Sequence, residues 1–255
     1  MPNSNWLLPE YIQVILPDEA WRIERMRANV LELLRLSGYQ LVAPPLLEYA
    51  ESLQIIGNHD MDLRTFKLVD QLSGRTLALR ADITPQVARI DAHLLNRQGI
   101  TRLCYAGNVL HTQPAGLMRT RELLQIGAEL YGHSGLESDL EVQRLMLQAL
   151  ALLGIGGVHL DLGHVALFRA LINRAGIPKK LEVELSNALQ GKNMPALRPL
   201  VADLIPEVKN ALLALPKLYG GVEVIAQARA ALPNYPEVAA ALNELEQAAA
   251  HLQPL

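Results

Sequence analysis

Residues suited to chemistry gather in two stretches of this chain. In the first, Arg80, Asp82 and Thr84 occupy alternate positions at the end of an apolar run, so a strand there gives them a common face. Thr84 and Pro85 then open a helical pattern, Thr84 as N-cap and Pro85 at the first helical position. A strand end feeding a capped helix can serve as a ligand edge, although Asp82 could equally pair with Arg80 or Arg89. The second stretch, Cys104 to Gly132, predicts two antiparallel strands around an arginine-bearing loop. Its second strand places Leu124, Ile126, Ala128 and Leu130 on one face and Gln125 and Glu129 on the other. Arg119, Arg121 and Glu122 lie in or beside the loop, where a rigid sheet commonly presents ligand contacts. A half-solvated sheet with a solvated loop would account for the same pattern.

Common catalytic signatures are missing from the chain. It has no GxxxxGK[ST] loop and no GxGxxG between strand and helix, which removes both major nucleotide fingerprints. The seven histidines, at 59, 93, 111, 133, 159, 164 and 251, show no HExxH spacing, and only His159 and His164 lie close together; no metal site is expected. There is no GxSxG elbow, and the single cysteine, Cys104, sits between Leu103 and Tyr105 as a buried strand residue would.

The surrounding elements follow from periodicity. Asp18 to Leu36 carries Ile23, Met26, Val30 and Leu33 on one helical face, with Asp18 as cap and Gly38 as terminator. Gln40 to Ala43 reads as a strand that ends at Pro44-Pro45 or lies at an edge, where a second copy of the chain could pair, although such a proline pair is more often only a strand terminator. Phe66 to Leu79 reads as a hairpin about Ser73-Gly74. The helix after Thr84 should face Val87, Ile90 and Leu94 to the core. Ser138 and Glu141 have capping-box spacing before a strongly apolar helix, and Val158 to Leu162 reads as a short strand. From about Val165 onward the chain predicts Ala/Leu-rich helices, broken at 176–178, 191–195, 216–221 and 233–236, with a last helix from Pro236 to Leu252.

Length and composition bound the rest. With 255 residues, 50% apolar but only 4% aromatic, the chain can bury a substantial core and should be rich in helix. A net charge of −3 gives no general attraction to nucleic acid or anionic membrane. The lone cysteine excludes an intrachain disulfide, and no uncharged apolar run reaches membrane-spanning length. A cytoplasmic protein is expected.

The motifs in order resemble a known family. The first helix with APPLLEYAE resembles the first signature of class II aminoacyl-tRNA synthetases, which implies a homodimer interface. LRADITPQVARI with LCYAGNVLHTQPAG and MRTRELLQIGAELYG resembles the histidyl-tRNA synthetase form of the second signature, and the resemblance as a whole covers residues 6 to 175. FKLVDQLSGRTLALRADITPQVARIDAHLL, VLHTQPAGL and ELLQIGAELYGH look most like the regulatory subunits of ATP phosphoribosyltransferase, a non-catalytic branch of that family. The resemblance implies an α+β fold, an antiparallel sheet flanked by helices over residues 1–165, C-terminally incomplete, followed by a helical segment over 166–255.

It also implies site residues. Asp82, Thr84 and Gln125 would meet a histidine α-ammonium and Glu129 its imidazole N–H. His111 and Gln113 stand where synthetases carry an Arg-x-Glu that grips ATP, so His111, Gln113, Arg119 and Arg121 mark a degenerate ATP site; histidine lacks the fixed charged fork of arginine. The implied role is to assemble with the short ATP phosphoribosyltransferase catalytic subunit, activate it and confer histidine inhibition. No cofactor and no tRNA partner are implied. The alternative is a histidyl-tRNA synthetase catalytic fragment.

Overall fold

The structure, a computed structural model, describes residues 7–53, 63–114, 116 and 119–252. His59 lies outside these residues. The chain divides into two compact units, Met1–Gly156 and Gly157–Leu255.

The first unit is α+β. Helix α1 (Pro17–Leu36) leads into β1 (Gln40–Leu41), β2 (Leu47–Tyr49) and α2 (Ala50–Leu53). The hairpin β3 (Lys67–Val69) and β4 (Thr76–Leu79) follows, then α3 (Thr84–Arg89), whose end widens into a π-helical turn, Ile90–Leu95. The long strands β5 (Thr101–Leu110) and β6 (Glu122–Tyr131) and helix α4 (Leu136–Leu152) complete it. One sheet runs β1-β5-β6, with β1 parallel to β5 and β5 antiparallel to β6; a second, antiparallel throughout, runs β2-β4-β3. Both faces of the long hairpin are packed. Cys104, Ile126 and Ala128 pack with Val30 and Leu34 of α1 and Leu145 of α4, whereas Leu103, Tyr105, Val109 and Tyr131 pack with Ile83 and Val87 at the start of α3.

Arg80 joins the two sheets. Its guanidinium is buried and donates to the Asn108 carbonyl at 2.8 Å, the Pro44 carbonyl at 2.7 Å and, more weakly, the Pro45 carbonyl at 3.5 Å. Its main chain spans the same gap, from Arg80 N to Leu46 O at 3.0 Å and from Leu110 N to Arg80 O at 3.1 Å. Gly107 makes room for it, since a Cβ there would collide with the guanidinium.

The second unit is helical: α5 (Val165–Arg174), α6 (Lys179–Gln190), α7 (Met194–Leu200), α8 (Pro206–Ala214), α9 (Glu223–Ala231) and α10 (Pro236–Leu252). Leu171, Leu185, Leu197, Val208 and Leu212 are fully enclosed in its core. His164 caps α5, its Nδ1 accepting from Ala166 N at 3.2 Å while Nε2 donates to Glu244 of α10 at 2.7 Å. His159 instead faces Asp161 at 3.2 Å.

Several local expectations are corrected. Helix α1 begins at Pro17 with no side-chain cap, so Asp18 lies in the first turn, where its charge complements the helix dipole. The strand expected over Gln40 to Ala43 is only Gln40–Leu41. Leu94 is 75% exposed, and Leu95 packs inward in its place; the π-helical turn moves the next core position from four to five residues beyond Ile90. Helix α4 starts at Leu136, with Ser138 bound to His133, and Glu141 is drawn to Arg102 at 2.6 and 2.7 Å and to Tyr39 at 2.9 Å. No capping box forms because an arginine outbids a backbone N–H for the carboxylate. Val158 to Leu162 pairs with no strand among the described residues, and β propensity alone makes no strand.

Arg80→Met would strand carbonyls buried in the seam between sheets. We expect it to lower stability by about 3 kcal/mol, read as a lower urea midpoint; an unchanged midpoint would show that the seam holds without the guanidinium.

Candidate functional site

The alternation of β6 places Leu123, Gln125, Gly127, Glu129 and Tyr131 on the face towards α3. Gln125 spans the gap to the strand end beyond β4: its Oε1 accepts from Ile83 N at 3.0 Å and its Nε2 donates to Asp82 Oδ1 at 2.8 Å. The same Asp82 oxygen accepts from Thr84 N at 3.1 Å. Thr84 is therefore not the N-cap; it is the first residue of α3, and Pro85 the second. The hydroxyl so freed meets the Tyr105 hydroxyl at 3.0 Å, and Tyr105 in turn donates to Glu129 at 3.4 Å. Asp82, Thr84, Gln125 and Glu129 are thus brought together.

Tyr105, which was not singled out in the sequence, joins the two halves of this chain of contacts. It stands opposite Gly127 in the β5–β6 ladder, and a Cβ at 127 would enter its ring. A tyrosine facing a glycine across a predicted hairpin is the signal that could have found it. Burial pushes the Tyr105 hydroxyl up to about 12, and the nearby Glu129 and Asp82 charges add to the effect. Burial likewise raises the Glu129 carboxyl, against the hydroxyls of Thr84 and Tyr105, which favour its charged form.

The other predicted group does not converge. His111 turns back, its Nε2–H donating to the Ala81 carbonyl at 2.9 Å. Arg121 donates to the carbonyls of His111 at 3.1 Å and Glu10 at 3.4 Å, with its guanidinium 4.7 Å from the centre of the Phe66 ring. Gln113 and Arg119 are exposed, and Ala115, Leu117 and Met118 of the same loop lie outside the described residues. One side of the hairpin therefore offers carboxylates and hydroxyls, suited to ammonium and ring N–H groups. On the other side, Arg121 serves main-chain carbonyls rather than forming a phosphate fork.

The family model for histidyl-tRNA synthetase matches residues 11–255. The chain belongs to the histidyl-tRNA synthetase family. Within that family, it is 62% identical to an ATP phosphoribosyltransferase regulatory subunit from Nitrosospira multiformis, over 100% of this chain and 66% of that protein. This chain thus spans just under two thirds of that relative's length. The crystal structure of an ATP phosphoribosyltransferase regulatory subunit/histidyl-tRNA synthetase from Bacillus halodurans matches with a TM-score of 0.83 at 29% identity, over 100% of this chain and 66% of that one. The fold is therefore class II synthetase-like. A chain of the ATP phosphoribosyl transferase complex from Thermotoga maritima shares it, with a TM-score of 0.61 at 19% identity, over 90% of this chain and 76% of that one.

The raised Glu129 carboxyl has a consequence for stability. Because the folded state holds that proton more tightly than the unfolded chain, this group's contribution falls as pH climbs from the ordinary carboxylate value through the raised one. Glu129→Gln is expected to remove that fall, so its urea midpoint should gain on the parent's with rising pH. Parallel pH profiles would show the carboxylate to be no less stable in place than in water.

Proposed function

We propose that this chain is a non-catalytic regulatory subunit that assembles with the short catalytic subunit of ATP phosphoribosyltransferase in the cytoplasm. It activates that subunit and helps confer feedback inhibition by histidine, and it forms homodimers through its class II-like surface. The observation that carries the non-catalytic part is His111, whose ring is committed to the Ala81 carbonyl where synthetases place an arginine on ATP. Arg121 offers no replacement, because its donors serve main-chain carbonyls. Losing one well-aimed donor to developing charge costs a rate factor of ~10²–10³.

The amino-acid end supports the regulatory part. Asp82, Thr84 and Gln125 gather acceptors for an α-ammonium, and Glu129 lies farther along the same strand face for an imidazole N–H. Histidine bound there inhibits only if its affinity differs between the active and inactive states of the assembly. A subunit without chemistry of its own can supply that difference. The Nitrosospira multiformis relative is named as a regulatory subunit of ATP phosphoribosyltransferase, which supports the regulatory reading.

Mixing the purified chain with a short ATP phosphoribosyltransferase tests this reading. Co-elution, a higher rate and histidine inhibition are expected, with Gln125→Ala and Glu129→Ala each weakening inhibition by roughly tenfold. Histidine-dependent ATP–pyrophosphate exchange by the chain alone would overturn the non-catalytic assignment.

A further inference from the structure

Helices α8 and α9 turn Val208, Ala211 and Leu212, and Ile225 and Ala228, into the core of the second unit. Their other faces line a groove with a cavity volume of about 350 Å³, within the range of roughly 300–1,000 Å³ that small-molecule sites span. Asn210, Leu213, Ala214 and Lys217 recur at three and four residues along α8 and the 3-10 turn Leu215–Lys217 that continues it, and so make one wall. Gln227 and Ala231, four apart on α9, make the other, and Leu218 adds to the apolar lining. Polar side chains on these elements divide by position. Away from the groove they are engaged: Glu207 accepts from the Tyr235 hydroxyl at 2.8 Å, Lys209 donates to the Ala202 carbonyl at 3.1 Å, and Glu223 accepts from Gly221 N at 2.9 Å. Arg229 donates to Asn243 at 2.7 Å and to Glu246 at 2.9 Å. Asn210, Lys217 and Gln227, the three that line the groove, have no side-chain hydrogen bond or ion pair among the described residues.

We propose that this groove binds a small aliphatic carboxylate, with the anion at Lys217 and the alkyl chain against Leu213, Ala214, Leu218 and Ala231. The lining holds one ammonium and no carboxylate, so an anion is attracted there and a cation repelled. Asn210 and Gln227 each bring an amide with two N–H donors, the groups that a carboxylate accepts from. A lysine that is open to solvent holds a bare anion only weakly. The apolar wall must therefore supply much of the affinity, and each methylene buried against it is worth roughly a factor of four in binding. Recognition then needs both ends of the ligand, a charge for Lys217 and a chain long enough to cover the leucines. The site lies wholly within the helical unit and uses no residue of the β5–β6 hairpin.

Titrating the full chain with hexanoate, butanoate, acetate and hexylammonium, followed by the backbone amide signals in NMR, tests this. Hexanoate should shift the amides of Leu213 to Leu218 and of Gln227 to Ala231 and bind roughly tenfold more tightly than butanoate, and hexylammonium should shift none of them. Lys217→Met should weaken hexanoate binding roughly fivefold, and Lys217→Arg should keep it. Ala231→Leu, which fills the groove and leaves the lysine in place, should abolish binding while the helical circular dichroism stays that of the parent. If that variant does not fold, Lys217→Met and the comparison of chain lengths still decide. Equal affinity for acetate and hexanoate would reduce the contact to anion pairing at a surface lysine and overturn the groove. Equal shifts with hexylammonium and hexanoate would overturn the carboxylate. Undiminished hexanoate binding by Lys217→Met, or no shift at these amides in the parent, would overturn the site itself.

Discussion

A buried guanidinium holds the working part of this molecule in register. Arg80 leaves β4 and reaches the carbonyls of Pro44, Pro45 and Asn108, three acceptors on two other segments of chain. The sheets β2-β4-β3 and β1-β5-β6 share no strand, so this side chain and the flanking main-chain bonds of Arg80 set how β4 meets β5. Burial disfavours the charge on Arg80, and nearby Glu48 offsets part of that loss. Glu48 is itself held by Gln86 at 2.7 Å and Arg89 at 2.6 Å, both from α3. The residues immediately after Arg80 are Ala81 and Asp82, which receive His111 and Gln125 respectively. The position of the candidate site is therefore set by a contact between main-chain carbonyls and a side chain outside that site.

The two ends of the β5–β6 hairpin have taken different courses from one scaffold. Near the middle of the strands, Gln125, Tyr105 and Glu129 form a chain of hydrogen bonds with Asp82 and Thr84, all partly or fully enclosed. At the loop end, the corresponding polar groups serve the main chain. Thr112 donates to the Leu63 carbonyl at 2.7 Å, Thr120 to that of Tyr11 at 3.1 Å, and Arg121 to those of Glu10 and His111. A loop whose side chains are used in this way anchors the neighbouring segments and leaves these donors engaged by main-chain carbonyls. Fold and chemistry are separable here because β5 and β6 pair through backbone atoms, whichever side chains the loop carries.

Legibility in the sequence followed the range of the interaction. The long hairpin, α1, and the late helices with α10 from Pro236 to Leu252 rest on local periodicity, and all were readable. Leu94 was misplaced because the widened turn at Ile90–Leu95 has no short sequence mark and shifts the face by one residue. Glu141 was misplaced because its partners, Arg102 and Tyr39, are remote in sequence. Thr84 has a cap's chemistry, yet Asp82 accepts its N–H and leaves the hydroxyl for Tyr105. The grouping of Asp82, Thr84, Gln125 and Glu129 came from resemblance, since no spacing rule joins positions on different elements. Tyr105 required the strand register, which sets it opposite Gly127.

The hydrogen bonds already present in the site constrain how a ligand could act through it. Asp82 Oδ1 is occupied twice, by Thr84 N and by Gln125, and the Gln125 carbonyl oxygen is held by Ile83 N. An incoming ammonium would therefore meet acceptors that are already partly satisfied, and exchanging one such bond for another yields little net free energy. The ring end differs. Burial strains the Glu129 carboxylate, so a contact made there removes an existing penalty. If histidine binds on this face, the larger gain falls at the imidazole rather than at the ammonium. Any conformational coupling would then begin where β6 packs against Ile83 and Val87 of the α3 region, because a ligand can bias only those states that it contacts differently.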